Sequence, residues 1–393
     1  MPHVTRRIGG FGTCLLGLLV LVGCGGGEPA PRTADGETPA ATAADETQPA
    51  RFRTAAQCGA CHQAHYAEWK ASMHGLAMSD FLFLQLSSEA DNPEECIRCH
   101  APVPIRDVDF DTPIARSDLR EDAVSCLTCH AMGDAVAAPH AGVSGPCNPV
   151  HDPAQTDARK MCFGCHDQHN TGKEWLNGPY GPLAAEPREK PLTTCLDCHM
   201  PEVERPVVEG GPVRKGRRHT WFGGHSYEQL QKAAELDVEI TALEGGGHRF
   251  RVWVTNKGAG HNIPTDARHR SFDTYVKIWD ESGNVLLDPV AEISPGVVDI
   301  DQQERAKAAT YRLFYRNSGR RDTQIPPLAR VSGIHDMPGY VDVPSANRGR
   351  GEAWLVYRLT PDDALVPESV TEPENFKYYR ARVVARVSFT YGD

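Results

Sequence analysis

The chain has 393 residues, with 41 Lys plus Arg against 52 Asp plus Glu and a formal net charge of −11. That length is enough for two domains, and the mildly acidic balance gives no electrostatic basis for nucleic-acid binding. Cysteine is the unusual count: of thirteen, ten fall in five Cys-x-x-Cys pairs, each followed directly by His.

In chain order, the first predicted element is an export signal. Arg6 and Arg7 form a charged start, and an apolar stretch runs from about residue 8 to 22. It is too short and too glycine-rich for a membrane span. It ends in Leu21-Val22-Gly23-Cys24, which resembles the bacterial lipobox. That resemblance implies cleavage before Cys24 and acyl chains on its thiol, anchoring the chain to a membrane. Gly25, rather than Asp, follows, as in lipoproteins sent on to the outer membrane. The competing reading is an ordinary cleaved signal with a chance Cys. Residues 25–52 are rich in Gly, Pro, Ala, Thr and Glu, a composition that buries too little surface to order itself, so they read as a tether. The expected divisions are 1–23 signal peptide, 24–52 lipidated Cys and disordered tether, 53–232 cofactor domain and 233–393 β domain.

The five motifs are Cys58/Cys61/His62, Cys96/Cys99/His100, Cys126/Cys129/His130, Cys162/Cys165/His166 and Cys195/Cys198/His199. Two thiols three apart on a helical turn add across the two vinyl groups of one haem, and the next residue presents its imidazole to the iron. One such motif is expected ~0.02 times by chance at this composition. Zinc ribbons combine Cys pairs in twos, and neither zinc nor redox dithiols need a His after every pair. The motifs therefore predict five haem c groups with proximal ligands His62, His100, His130, His166 and His199. Motif starts are 38, 30, 36 and 33 residues apart, which is no fixed repeat. Roughly 180 residues would carry five large apolar cofactors, so the haems must form much of the core, and folding should depend on their attachment.

Twelve His lie outside the motifs. The run from Cys58 to Met78, CGACHQAHYAEWKASMHGLAM, resembles the first haem segment of the tetrahaem cytochrome family that accepts electrons from hydroxylamine oxidoreductase. The match includes Trp69 and His74. The resemblance covers about residues 55–170 and implies that His74 ligates the third haem and His140 the first. It also implies that the second haem, on Cys96 and Cys99, lacks a distal protein ligand. The fifth motif has no counterpart in a tetrahaem protein. A second resemblance, to the ends of multihaem cytochromes of this broad group, rests on Thr194 to Pro201, His219 to His225, and Gly258-Ala259-Gly260-His261-Asn262-Ile263-Pro264-Thr265. The related pattern continues with Gly where this chain has Asp266. Distal candidates are thus His74, His140, His219 and His261, followed by His225 and His151. His65 reads as packing near Trp69, and His169, His248, His269 and His335 read as ordinary polar residues. Met73, Met78, Met132, Met161 and Met200 read as core packing, since His are plentiful. Cys147, in a turn-rich loop, reads as a buried thiol, with a haem-edge contact or an intermolecular link as alternatives.

From Leu236 apolar residues alternate: Leu236, Val238 and Ile240; Phe250, Val252 and Val254; Val383, Ala385, Val387 and Phe389. Gly245-Gly246-Gly247 and Asp280 to Asn284 read as turns. The expected fold class is α+β multidomain: a mainly helical and irregular multihaem cytochrome domain followed by an immunoglobulin-like β-sandwich. The sandwich carries no catalytic constellation, but its His261 loop could reach the other domain and supply an axial ligand. The function expected is electron transfer at the cell envelope, with redox partner proteins and membrane contact through the lipid. Two alternatives stand beside it: a reductase or oxidase of small nitrogen or sulfur compounds at an open iron, and a structural subunit of a cytochrome assembly or oligomer.

Overall fold

A computed structural model describes residues 52–142, 144–186, 190–267, 270–288, 312–315, 322–334, 337–359 and 381–392. The signal, Cys14, Cys24, most of the tether, His269 and His335 lie outside the described residues.

The amino-terminal half is built from short helices, most of them started by a cap written in the sequence. Helix α1, Ala55–Gly59, opens on Thr54, whose backbone N–H donates to Gln57 Oε1 at 3.1 Å. It carries Cys58; Cys61 follows, and His62 precedes α2, Gln63–Ala71. Helix α3, Phe81–Ser88, is capped by Asp80, which accepts from Phe83 N at 3.0 Å. The second motif ends α4, Pro93–His100, which has Pro at its start and Glu94 and Glu95 in its first turn, where negative charge suits the helix dipole. The third is α5, Cys126–His130, and the fourth ends α6, Ala158–His166, capped by Asp157. Then come α7, Thr171–Asn177, and α8, Cys195–His199, which is the fifth motif. Thr194 N donates to Asp197 Oδ2 at 2.7 Å, closing the start of α8. Strands β1 (Ala131–Met132), β2 (Ala135–Ala138) and β3 (Pro149–His151) form a small sheet after the third motif; β4 (Glu202–Pro206) and β5 (Val213–Arg217) form a hairpin after the fifth.

Helix α9, Tyr227–Ala233, leads into the sheets of the carboxy-terminal half. One sheet places β6 (Ala234–Ala242) on one side of β7 (His248–Asn256), with β11 (Arg330–Val331) and β14 (Tyr340–Val343) along its other side. The second places β9 (Val285–Leu287) and β10 (Arg312–Tyr315) on β8 (Ser271–Asp280), then β15 (Gly349–Arg358) and β16 (Arg382–Tyr391). Strands β12 (Gly333–Ile334) and β13 (Met337–Pro338) make a separate ribbon. The described pairings in both sheets are antiparallel, and their inner faces share one apolar core that includes Leu236, Phe250, Val254, Phe272, Ile278 and Leu355. That core reaches back to Leu230 of α9, ahead of the boundary expected at 232/233.

The alternation read in β6 and β7 is the observed burial pattern. In β16 it is interrupted. The register with β15 shifts between Leu355 and Val356, so Val384 and Ala385 join the core while Val383 does not. A bulge inserts one residue and moves what lies beyond it to the other face. The Gly245-Gly246-Gly247 turn needs its glycines: all three have positive φ, and a Cβ on Gly247 would come within 2.4 Å of Val343 O.

The two halves differ in what fills them. The largest fully buried side chains, from Arg358 and Tyr275 to Val276, all lie in the carboxy-terminal half, most of them on sheet strands. Before residue 230 the buried apolar residues are mostly alanines, with Trp69, Phe83, Ile105, Trp175 and Leu196 among the few large ones. The amino-terminal half has too little side-chain core to hold itself together.

Within the sheets, Arg358 Nε donates to Asp273 Oδ2 at 3.0 Å, and both side chains are fully buried. Breaking such a pair takes an ionic partner away from a buried charge. Asp273→Ala should lower stability by about 3–5 kcal/mol in denaturant unfolding of the haem-loaded chain, and Asp273→Leu with Arg358→Met should recover most of it.

Candidate haem sites

Each motif His sits at the end of one helix or the start of the next, so its ring leaves the helix and meets another segment. Four of the five hold Nδ1 on a backbone carbonyl: His62 on Val207 at 3.0 Å, His100 on Ala77 at 2.9 Å, His130 on Ala137 at 3.0 Å, and His199 on Phe222. With Nδ1–H donating there, Nε2 carries the free lone pair, the arrangement a metal-ligating imidazole uses. His219 and His261 do the same with Arg217 O at 3.0 Å and Asn262 O at 2.9 Å. So does His248, on Ala346 O at 2.6 Å inside the sheets, where its ring neighbours are Phe250 and Tyr391. The carbonyl bond alone is therefore no signature of a ligand; the partner across the ring must decide.

Three motif imidazoles face a second imidazole. Ring centroids are 6.0 Å apart for His74 and His166, 6.2 Å for His130 and His219, and 6.3 Å for His199 and His261. An iron held between two imidazole nitrogens at ~2 Å each puts the centroids ~6.3 Å apart. The gaps thus have the span of one metal ion and its two bonds, and the residues fit a haem. Burial, then neighbouring imidazoles, pushes His74 and His219 down to about 3 and His199 to about 4, so all three are neutral at pH 7 and able to donate a lone pair. Among the described residues no three His, Cys, Asp or Glu side chains gather as a bare metal site.

His74 faces the fourth motif, not the third as the family resemblance implied; His219 faces the third instead. The reason is local. Val124 N donates to His74 O at 3.2 Å, tying His74 beside the third helix while its ring points away to His166. His140 and His151 are exposed, on the turn leaving β2 and on β3, and neither meets a motif ring. His225 is half-buried in the loop before α9. The ring nearest His62 is His65, at 6.1 Å and edge-on. His65 is three residues further along the chain, and burial lowers it to about 4. Among the described residues no imidazole faces His100; Phe83 stacks flat on it, with centroids 4.0 Å apart and planes at 17°. Cys147 is half-buried and free.

The thiols of different motifs are neighbours. Cys58 lies beside Cys126, Cys99 beside Cys165, and Cys162 beside Cys195. The first motif therefore abuts the third, and the fourth abuts both the second and the fifth.

The loop after β7 reaches the amino-terminal half as its sequence suggested. Buried Asn256 pins it, donating to His261 O at 2.9 Å and Ile325 O at 3.1 Å and accepting from Ala259 N. From the other side Glu174 of α7 accepts from Asn262 N at 3.1 Å, and Thr171 bonds Thr265 at 2.7 Å. Asp266 has φ +71°, which explains the glycine of the related pattern; Asp tolerates this region better than most side chains. Partial desolvation pushes its half-exposed carboxyl up, but Arg270 and His169 outweigh that and hold it well below the usual range.

Sequence reasoning missed Glu68. Its carboxylate takes both Arg205 nitrogens at 2.6 Å and His219 N at 2.9 Å, joining α2 to β4 and to the segment that carries His219. Glu68 stands one turn after His65 on an exposed-looking helix, and no local pattern marks it.

Residues 57–131 match the family model of cytochrome c554 and c-prime. In fold the chain is similar to a penta-heme cytochrome c552 from Thermochromatium tepidum, at 20% identity and TM-score 0.57, covering 88% of this chain and 100% of that one. So large a share takes in the carboxy-terminal sheets as well as the motif-bearing half. Among curated proteins none matches. Motifs, matched segment and fold together define a multihaem c-type cytochrome, of the class that transfers electrons through c-type haems.

Glu68→Ala leaves Arg205 without its carboxylate and His219 N without its acceptor. The β4–β5 hairpin should loosen from α2, measured as faster proteolytic cleavage between residues 206 and 213 in the haem-loaded chain.

Proposed function

We propose that the chain is a five-haem electron carrier of the cell envelope, related to the tetrahaem cytochromes linked to hydroxylamine oxidoreductase. The observation that carries this reading is the set of three imidazole pairs spanning one metal-ion gap each. Haem c, when bound, supplies a reversible one-electron couple at its iron. The residues do the rest. Five Cys pairs attach the groups, and His62, His100, His130, His166 and His199 are the proximal ligands. His219, His74 and His261 cap the third, fourth and fifth sites. The resemblance offers His140 for the first site, although the fold leaves it exposed. Bis-His ligation keeps potentials low relative to His/Met ligation.

Contacts between thiols of different motifs support a connected path from first to third motif and a junction at the fourth. The carboxy-terminal sheets, read as an immunoglobulin-like sandwich, close the fifth site with His261. Cys24 carries the lipid, at the periplasmic face of the outer membrane or the cell surface, and the tether lets an acidic body reach a basic redox partner protein. Among the described residues no helix is long and apolar enough to cross a membrane. A second reading has one support: among the described residues no imidazole faces His100, which favours an open second iron and chemistry on small nitrogen compounds.

Low-temperature EPR of the oxidised, haem-loaded protein, with spin quantitation, separates the two. Low-spin signals dominating a total of about five haems are expected of a carrier. A high-spin fraction of about one haem, together with turnover of nitrite or hydroxylamine, would replace it with the reductase reading. The anchor has its own test: Cys24→Ser should move the cytochrome from the membrane fraction to the soluble one, and unchanged fractionation would remove the lipid from the account.

A further inference from the structure

The segment between His74 and His100 touches two motif sites and the sheets at once. Ala77 O takes the proton on His100 Nδ1 at 2.9 Å. Six residues on, Phe83, itself 8% exposed, lies flat on the same imidazole. The two residues before it, Phe81 and Leu82, pack against the apolar core of the carboxy-terminal sheets. Asp80 caps α3 and lies within electrostatic reach of Arg270, in the loop entering β8. One helix of eight residues thus has one side on the sheet core and a ring on a motif histidine.

A hydrogen bond holds one atom of an imidazole and leaves the ring free to rock about it. A flat aromatic neighbour removes that freedom, and a stacked pair contributes about 0.5–1.5 kcal/mol beyond its buried area. Groups that orient a metal-ligating His tune the metal through it, and their loss typically changes affinity or activity about 10–100-fold. Among the described residues, the fifth site receives a histidine from the carboxy-terminal half directly, through His261, and the second is reached through α3.

We propose that Phe83 is the positioning residue for the His100 imidazole, and that α3 couples the carboxy-terminal sheets to the haem of the second motif. The inference rests on reading that motif as a haem site. Phe83 acts on the ligand and not on any reacting group. A displacement of the sheets, as on docking a partner, would reach the second iron through Phe81, Leu82 and Phe83.

The test uses the full haem-loaded chain. Peptide mass of the parent first establishes whether the Cys96/Cys99 peptide carries haem; a bare peptide ends both the underlying reading and this one before any variant is made. With haem present, Phe83→Leu, Phe83→Trp and Leu82→Ala are compared with the parent by EPR. Leu82 does not stack on His100, so it separates coupling from local contact. The expected result is a shift in the g values of one haem signal in Phe83→Leu, the same signal shifted in Leu82→Ala, the other signals unmoved, and a return toward the parent in Phe83→Trp. A Phe83→Leu spectrum superimposable on the parent overturns the positioning role, and an unshifted Leu82→Ala spectrum overturns the coupling. If Phe83→Leu does not accumulate, Leu82→Ala and Phe83→Tyr carry the same decision.

Discussion

Two imidazoles share one iron only when their rings stand about 6 Å apart with their unprotonated nitrogens facing, and the amino-terminal half is arranged around that distance. It decides which loops must meet. His219 has to return from the β4–β5 hairpin to stand opposite His130, and His74 has to leave α2 for His166. Each ring is then aimed by a carbonyl or by close packing. Little else could organise this region. It buries mainly alanine, and its helices run from five to nine residues, too short to persist without tertiary support. Cofactor attachment and folding are on this view one event.

The same economy explains the polar clamps. With little apolar core, the segments between motifs are held by buried or half-buried charged groups. Glu68 binds Arg205 and the backbone of His219, and Arg106, whose side chain is 6% exposed, binds Asp152 and Gln155. Such pairs add little net stability against an apolar alternative, but they fix geometry, since removing either partner strands a charge. Geometry is what an axial ligand requires.

The carboxy-terminal sheets supply what the other half lacks: a conventional core, rigid enough to present a loop. Asn256 and the Glu174 and Thr171 contacts hold the 258–265 loop from both sides, so His261 arrives at His199 already ordered. The sheets thus meet the motif-bearing half through this loop, and α3 gives them a second point of contact with it. The fold shared with the Thermochromatium tepidum protein extends over both parts.

By itself the sequence determined the covalent chemistry and the local structure. Five Cys-x-x-Cys-His runs need no tertiary information, because the thiols and the histidine of one site are adjacent in the chain. The caps at Thr54, Asp157 and Thr194 and the alternation in β6 and β7 are also short-range signals. His219 and His261 were legible as candidates from their neighbours. Only the tertiary structure decided which histidine meets which motif. His74 is 56 residues from the third motif's His130 and 92 from His166, and spacing alone does not choose between them. The choice is made by the tie to Val124 and by the return of the hairpin. For the same reason Glu68, Phe83 and Asn256 carried no mark in the sequence: each acts on a residue brought to it by the fold, and the chain encodes such contacts only through the sum of its packing.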